Sequence, residues 1–79
     1  MKTIEIIELR SLLEDAFPNS VLPSAVEDMK LGDIVEWDSL GNFNLLLAAE
    51  EKYSVKFEIE EMLEIKSMKQ LRSVLENKL

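Results

Sequence analysis

The sequence predicts an all-α protein: a four-helix bundle with a long loop between helices 1 and 2 and a short helix 3. Three observations predict it. Glycine and proline number only two each in 79 residues, too few for a turn-rich β fold. Apolar residues recur three and four positions apart in separate stretches, the period of helices that bury one face. Ser67 followed by Gln70, ahead of an apolar run, is a capping box that marks a helix start.

The first helix is expected over about residues 3–17. Ile6, Leu9, Leu13 and Phe17 form its inner face, Leu12 and Ala16 widen it, and Pro18-Asn19 ends it. The connection from Pro18 to Asp38 is long for so small a chain. It is also apolar, with Val21, Leu22, Val26, Met29, Leu31, Ile34, Val35 and Trp37 all suited to burial. It should wrap the bundle and close one end of the core. A short helical turn is expected near Ser24–Met29, with a bend at Gly32-Asp33.

Helix 2 is expected over 39–53, with Phe43, Leu46, Ala49 and Tyr53 on its core arc. Leu40 and Leu47 fall away from that arc, beside Asn44 and Glu51. Asn42 falls near the core arc and needs a polar partner there. A short helix over 58–64 carries Ile59, Met62 and Leu63. The last, over 68–78, turns Met68, Leu71, Leu75 and the following Leu79 inward. No repeat, low-complexity stretch or linker divides the chain, so a single domain over 1–79 is expected.

Composition narrows function. A chain this short buries roughly 60–65% of its unfolded surface, so its core is thin. With 47% hydrophobic and 32% charged residues it is composed like a folded domain. It contains no cysteine, which removes disulfides and thiolate metal sites, and no metal site is expected. The longest unbroken apolar run, Leu45–Ala49, is too short to span a bilayer, and no charged-then-apolar leader opens the chain. A soluble, cytoplasmic protein without membrane insertion, and a monomer, is the expectation.

The formal net charge of −7 repels nucleic acid and anionic lipid and attracts basic protein surfaces. Histidine is absent along with cysteine, so the usual neutral-pH base and the thiolate nucleophile are both missing. The pairs Glu50/Glu51 and Glu60/Glu61 are helix neighbours that do not face each other, and read as solvated charge. No catalytic residue is assigned, and the chain is not expected to be an enzyme.

Asp38 and Ser39 stand at the start of helix 2, where either side chain suits a cap. Asp-Ser-Leu arises by chance in roughly one chain in thirty of this length, so the tripeptide alone decides nothing. Its setting adds weight: the serine follows a long wrapping loop in a small acidic chain. On these residues the sequence resembles the acyl carrier protein family. Trp37-Asp38-Ser39-Leu40 looks like the family's phosphopantetheine attachment motif, and Leu45 to Tyr53 like the rest of its second helix. Val55-Lys56-Phe57 resembles the turn that follows, and Ile65-Lys66-Ser67-Met68 the entry to its fourth helix.

The resemblance covers essentially the whole chain and implies a bundle of the acyl-carrier type. It implies that Ser39 bears a 4′-phosphopantetheine arm taken from coenzyme A by a phosphopantetheinyl transferase, with Asp38 contacting that transferase. An acyl cargo would ride on the arm as a thioester. Partners would be acyl-loading and acyl-accepting enzymes, met by Leu40, Asn44, Leu47, Glu50 and Glu51. The acyl cavity would be lined by Phe43, Leu46, Ala49, Met62 and Leu63, with the small Ala48 and Ala49 either enlarging it or letting two helices pack closely.

An aminoacyl or peptidyl carrier is the neighbouring alternative. An unmodified acidic helical interaction module is the alternative from another class. The pattern departs from carriers of housekeeping fatty acid synthesis at Gly41 and Asn44, where those carry acids, which points to a specialised fatty acid or lipid pathway. Gly41 within the first turn of helix 2 costs about 1 kcal/mol of helix propensity against alanine. Close approach by a partner or by the arm is the reason the sequence suggests.

Overall fold

The computed structural model describes residues 3–79, so Met1 and Lys2 lie outside the described residues. Its helices are α1 (Ile6–Ala16), α2 (Ser39–Tyr53), α3 (Ile59–Glu64) and α4 (Met68–Lys78), with one 3-10 turn at Val26–Asp28. The chain is an all-α bundle, and among the described residues the only β pairing is the isolated bridge between Lys30 and Ser67.

α1 begins at Ile6, three residues later than the spacing predicted, because Glu5 and Glu8 form a reciprocal cap there. The Glu5 N–H donates to the Glu8 carboxylate at 3.0 Å. That start leaves residue 4 extended, and Ile4 takes the inward place that periodicity gave to Ile6. Ile4 is fully buried, with its N–H on the Glu76 carboxylate at 2.8 Å, while Ile6 is 46% exposed at the rim of the first turn. Leu9, Leu12, Leu13 and Phe17 fill the inner face as expected.

In α2 the buried arc is rotated from the predicted one. Asn42, Leu45, Leu46 and Ala49 are buried, whereas Phe43 is 48% exposed and Tyr53 half-buried. Positions 42, 45, 46 and 49 have the spacing of one helix face. A hydrophobicity-weighted reading misplaces that face because its upper member is an asparagine. The need for a partner at Asn42 is met twice. The Trp37 indole N–H donates to its Oδ1 at 2.9 Å, and its Nδ2 donates to the Ile65 carbonyl at 2.8 Å.

The long loop does close one end of the core. Val26, Met29 and Trp37 are buried, and the Trp37 ring packs on Phe17 at 5.9 Å between centroids. Val21 and Val35, which composition marked for burial, stay over 90% exposed at 92% and 91% because they lie on the outer side of the wrap. Two backbone bonds strap the loop to the entry of α4: Leu31 N–H to the Lys66 carbonyl at 2.8 Å, and Met68 N–H to the Met29 carbonyl at 2.9 Å. The bend at Gly32-Asp33 is present, with Gly32 at φ +96° and the Asp33 carboxylate accepting from the Lys30 N–H.

α4 starts as the capping box predicts, its Ser67 Oγ accepting from the Gln70 N–H at 3.1 Å. Met68, Leu71 and Leu75 are buried. Leu79, expected on the inner face, lies past the last turn and is 39% exposed. α3 buries no residue completely. Lys78 holds it from the end of α4, with Nζ 2.8 Å from the Glu61 carboxylate and 5.8 Å above the centre of the Phe57 ring. The hydrogen bond from Lys78 lowers the Glu61 pKa below its ordinary value.

α1 and α2 are joined at their far ends by the Tyr53 hydroxyl, which donates to the Glu8 carboxylate at 3.1 Å. Burial, aided by that acceptor, pushes the Tyr53 pKa up to about 12.

Two outcomes are expected. Asn42→Ala strands a buried indole N–H and a buried carbonyl, and should cost about 2–4 kcal/mol. Urea unfolding followed by Trp37 fluorescence reads this; an unchanged midpoint would show that neither bond matters. Tyr53 is the single tyrosine, so tyrosinate absorbance isolates it. Its midpoint should lie at about 12 in the folded protein and at about 10 in denaturant. The folded state holds the proton more tightly, so this residue's contribution to stability is complete below about pH 10 and is lost as pH rises toward 12.

Candidate functional site

The start of α2 settles which side chain caps it. Asp38 is the N-cap: its backbone is extended and its carboxylate accepts from the Gly41 N–H at 2.8 Å. Ser39 is the first residue inside the helix and is exposed. Its hydroxyl is thus relieved of the capping role that commonly explains a serine at a helix start.

Ser39 stands at the mouth of a cleft of about 310 Å³ between α2 and α3. Phe43 and Leu46 line it from α2, and Ile59, Met62 and Leu63 from α3, with Leu31 from the loop and Lys66 beyond α3. The half-exposure of Phe43 is therefore exposure to this cleft. Of the residues assigned to an acyl cavity, Phe43, Leu46, Met62 and Leu63 come together. Ala49 does not: it is fully buried in the core and lines no part of the cleft. Ala48 faces a different hollow, with Asp15, Glu51 and Lys52. Neither alanine enlarges the cleft, and Ala49 belongs to the close packing of the core.

On the outer face of α2, Leu40 is 70% and Leu47 42% exposed, and Asn44 and Glu51 are exposed with them. This is one helix face, open along its length. Glu50 departs from its expected place among these surface contacts. Its carboxylate accepts from the Phe57 N–H at 2.8 Å and ties α2 to the turn before α3. A shallow hollow of about 330 Å³ lies on the other side of the first turn, bordered by Glu36, Asp38, Leu40, Asn44 and Phe17.

Gly41 borders that hollow and is buried. A Cβ there would overlap the carbonyl oxygen of Glu36 and sit 3.0 Å from the Phe17 ring. The close approach that requires glycine is thus made by the chain's own loop, not by a partner or an arm.

Sequence reasoning missed Leu31, Ile59 and Lys66 as cleft residues. Ile59 carried a signal, being spaced with Met62 and Leu63 on one face of a short helix. Leu31 and Lys66 carried none, because they are brought there by the backbone bond between them across 35 positions.

Among the described residues, no group of three or more potential ligands is arranged to hold a metal ion, and no helix is long and apolar enough to cross a membrane. No family model matches the chain, and neither the curated proteins nor the solved structures include a significant match to it.

Gly41→Ala should test the close approach. Alanine gains about 1 kcal/mol of helix propensity, but displacing the Glu36 carbonyl and Phe17 costs about 1–3 kcal/mol. A net loss of stability is expected in urea unfolding. A variant as stable as the parent, or more so, would show that the loop yields freely.

Proposed function

We propose that the protein is a non-enzymatic carrier that holds an acyl group as a thioester on a phosphopantetheine arm at Ser39 and delivers it to partner enzymes. One observation carries the reading: Ser39 is exposed, excused from capping by Asp38, and opens onto an apolar cleft. The resemblance of Trp37-Asp38-Ser39-Leu40 to an attachment motif names the chemistry. The residues fit such a group. The hydroxyl is accessible, the first turn of α2 favours an anion on it, and Phe43, Leu46 and Met62 offer an apolar wall.

In loading, the Ser39 oxygen forms a bond to the pantetheine-side phosphorus of coenzyme A. The pyrophosphate P–O bond breaks, 3′,5′-ADP leaves, and the serine proton passes to a base of the transferase. The arm supplies the thiol that this cysteine-free chain lacks. Asp38 fixes the geometry of the turn and presents its charge to the transferase. Leu40, Asn44, Leu47 and Glu51 form the face that meets partners. Asn44 leaves the upper part of that face neutral, which favours partners of a specialised lipid pathway over strongly basic ones.

The open Leu40–Leu47 stripe favours a second reading, an unmodified acidic interaction module.

Incubation with a broad-specificity phosphopantetheinyl transferase, magnesium and coenzyme A, followed by intact mass, separates the two. A gain of one arm, abolished by Ser39→Ala, is expected. No gain, or a gain that survives the substitution, leaves the interaction module standing and sinks the carrier.

A further inference from the structure

The two sides of the first turn of α2 differ in charge. The cleft side has Lys66 as its single charged lining residue, in a chain whose net charge is −7. On the other side, the hollow is bordered by Glu36 and Asp38 and by no cation. Ser39 borders the cleft and not the hollow.

Lys66 is also well placed. Ser39 and Asn42 are one turn apart on the same face, and Asn42 is bonded to the Ile65 carbonyl at 2.8 Å. Lys66 is the next residue. Its backbone is fixed on both sides, by its N–H on Gln70 at 2.9 Å and by its carbonyl accepting from Leu31 at 2.8 Å. Lys30, Lys69 and Lys78 each pair with a carboxylate, but no carboxylate lines the cleft beside Lys66.

We propose that Lys66 is a positioning residue, the counter-ion of a phosphodiester on Ser39, and that it turns the arm toward the cleft and away from the acidic hollow. This rests on the carrier reading. The phosphodiester carries one negative charge, the side toward Glu36 and Asp38 repels it, and the side toward Lys66 attracts it. An arm drawn that way lies along the apolar residues of α2 and α3.

Amine footprinting with an acylating reagent, read by peptide mass, tests this on the unloaded and loaded protein. Intact mass first confirms the arm on Ser39. At low salt, Lys66 should be labelled roughly threefold more slowly once the arm is present, and the protection should fade at high salt. Exposed Lys56 should be unaffected. In a loaded Lys66→Gln variant, the salt dependence of the phosphodiester 31P resonance should be lost, and Lys66→Arg should retain it. Equal labelling of Lys66 with and without a confirmed arm, or an unchanged salt dependence in Lys66→Gln, overturns the proposal while leaving the carrier reading intact. Absence of any arm in the intact mass overturns the carrier reading, and this inference with it.

Discussion

The fold turns on one buried amide. Asn42 accepts from the Trp37 indole and donates to the Ile65 carbonyl, so it joins the end of the long loop, the first turns of α2 and the junction of α3 with α4. The bonds from Leu31 to Lys66 and from Met68 to Met29 reinforce the hold between the loop and the entry to α4, and the core is thin. A buried amide without partners would be costly, so the three segments are specified together or not at all. Trp37 in turn packs on Phe17 at the end of α1, which extends the same constraint to the remaining helix. The candidate site stands on this junction, since Ser39 lies one turn before Asn42 and Lys66 one residue beyond Ile65.

Against that frame α3 is held at its flanks. It buries no side chain fully; Asn42 and Glu50 anchor Ile65 and Phe57 on either side of it, and Lys78 reaches Glu61 within it and the ring of Phe57 before it. Its apolar residues face the cleft, where Ile59 and Leu63 remain 72% and 69% exposed. Ser39 thus stands between a hydrogen-bonded junction and an exposed apolar surface.

Much of this was legible in residue order. The four helices, the turn near Val26 and the cap at Ser67 follow from local chemistry, which neighbours along the chain determine, whereas Ser39 was singled out by the resemblance of its motif. What was not legible is long-range. Phe43 reads as core and Asn42 as an embarrassment until Trp37 and Ile65 are brought beside them. Glu50 reads as surface charge until the Phe57 N–H is found on it. Gly41 reads as a concession to a partner, whereas the Glu36 carbonyl occupies the space a side chain needs. Lys66 has no local signal at all, because its place at the cleft depends on the strap from Leu31.

The two bonds that tie α2 to the ends of α3 share a register. Asn42 holds Ile65 and Glu50 holds Phe57, so anchors eight residues apart on one strut meet anchors eight residues apart on the other. Eight residues of helix rise about 12 Å, and the segment between Phe57 and Ile65 must cover the same span in the opposite direction. That requirement sets a ruler for α3: a residue more or less would forfeit one anchor. Substitutions along this pair of helices can therefore widen, narrow or deepen the cleft, but its length is fixed by counting.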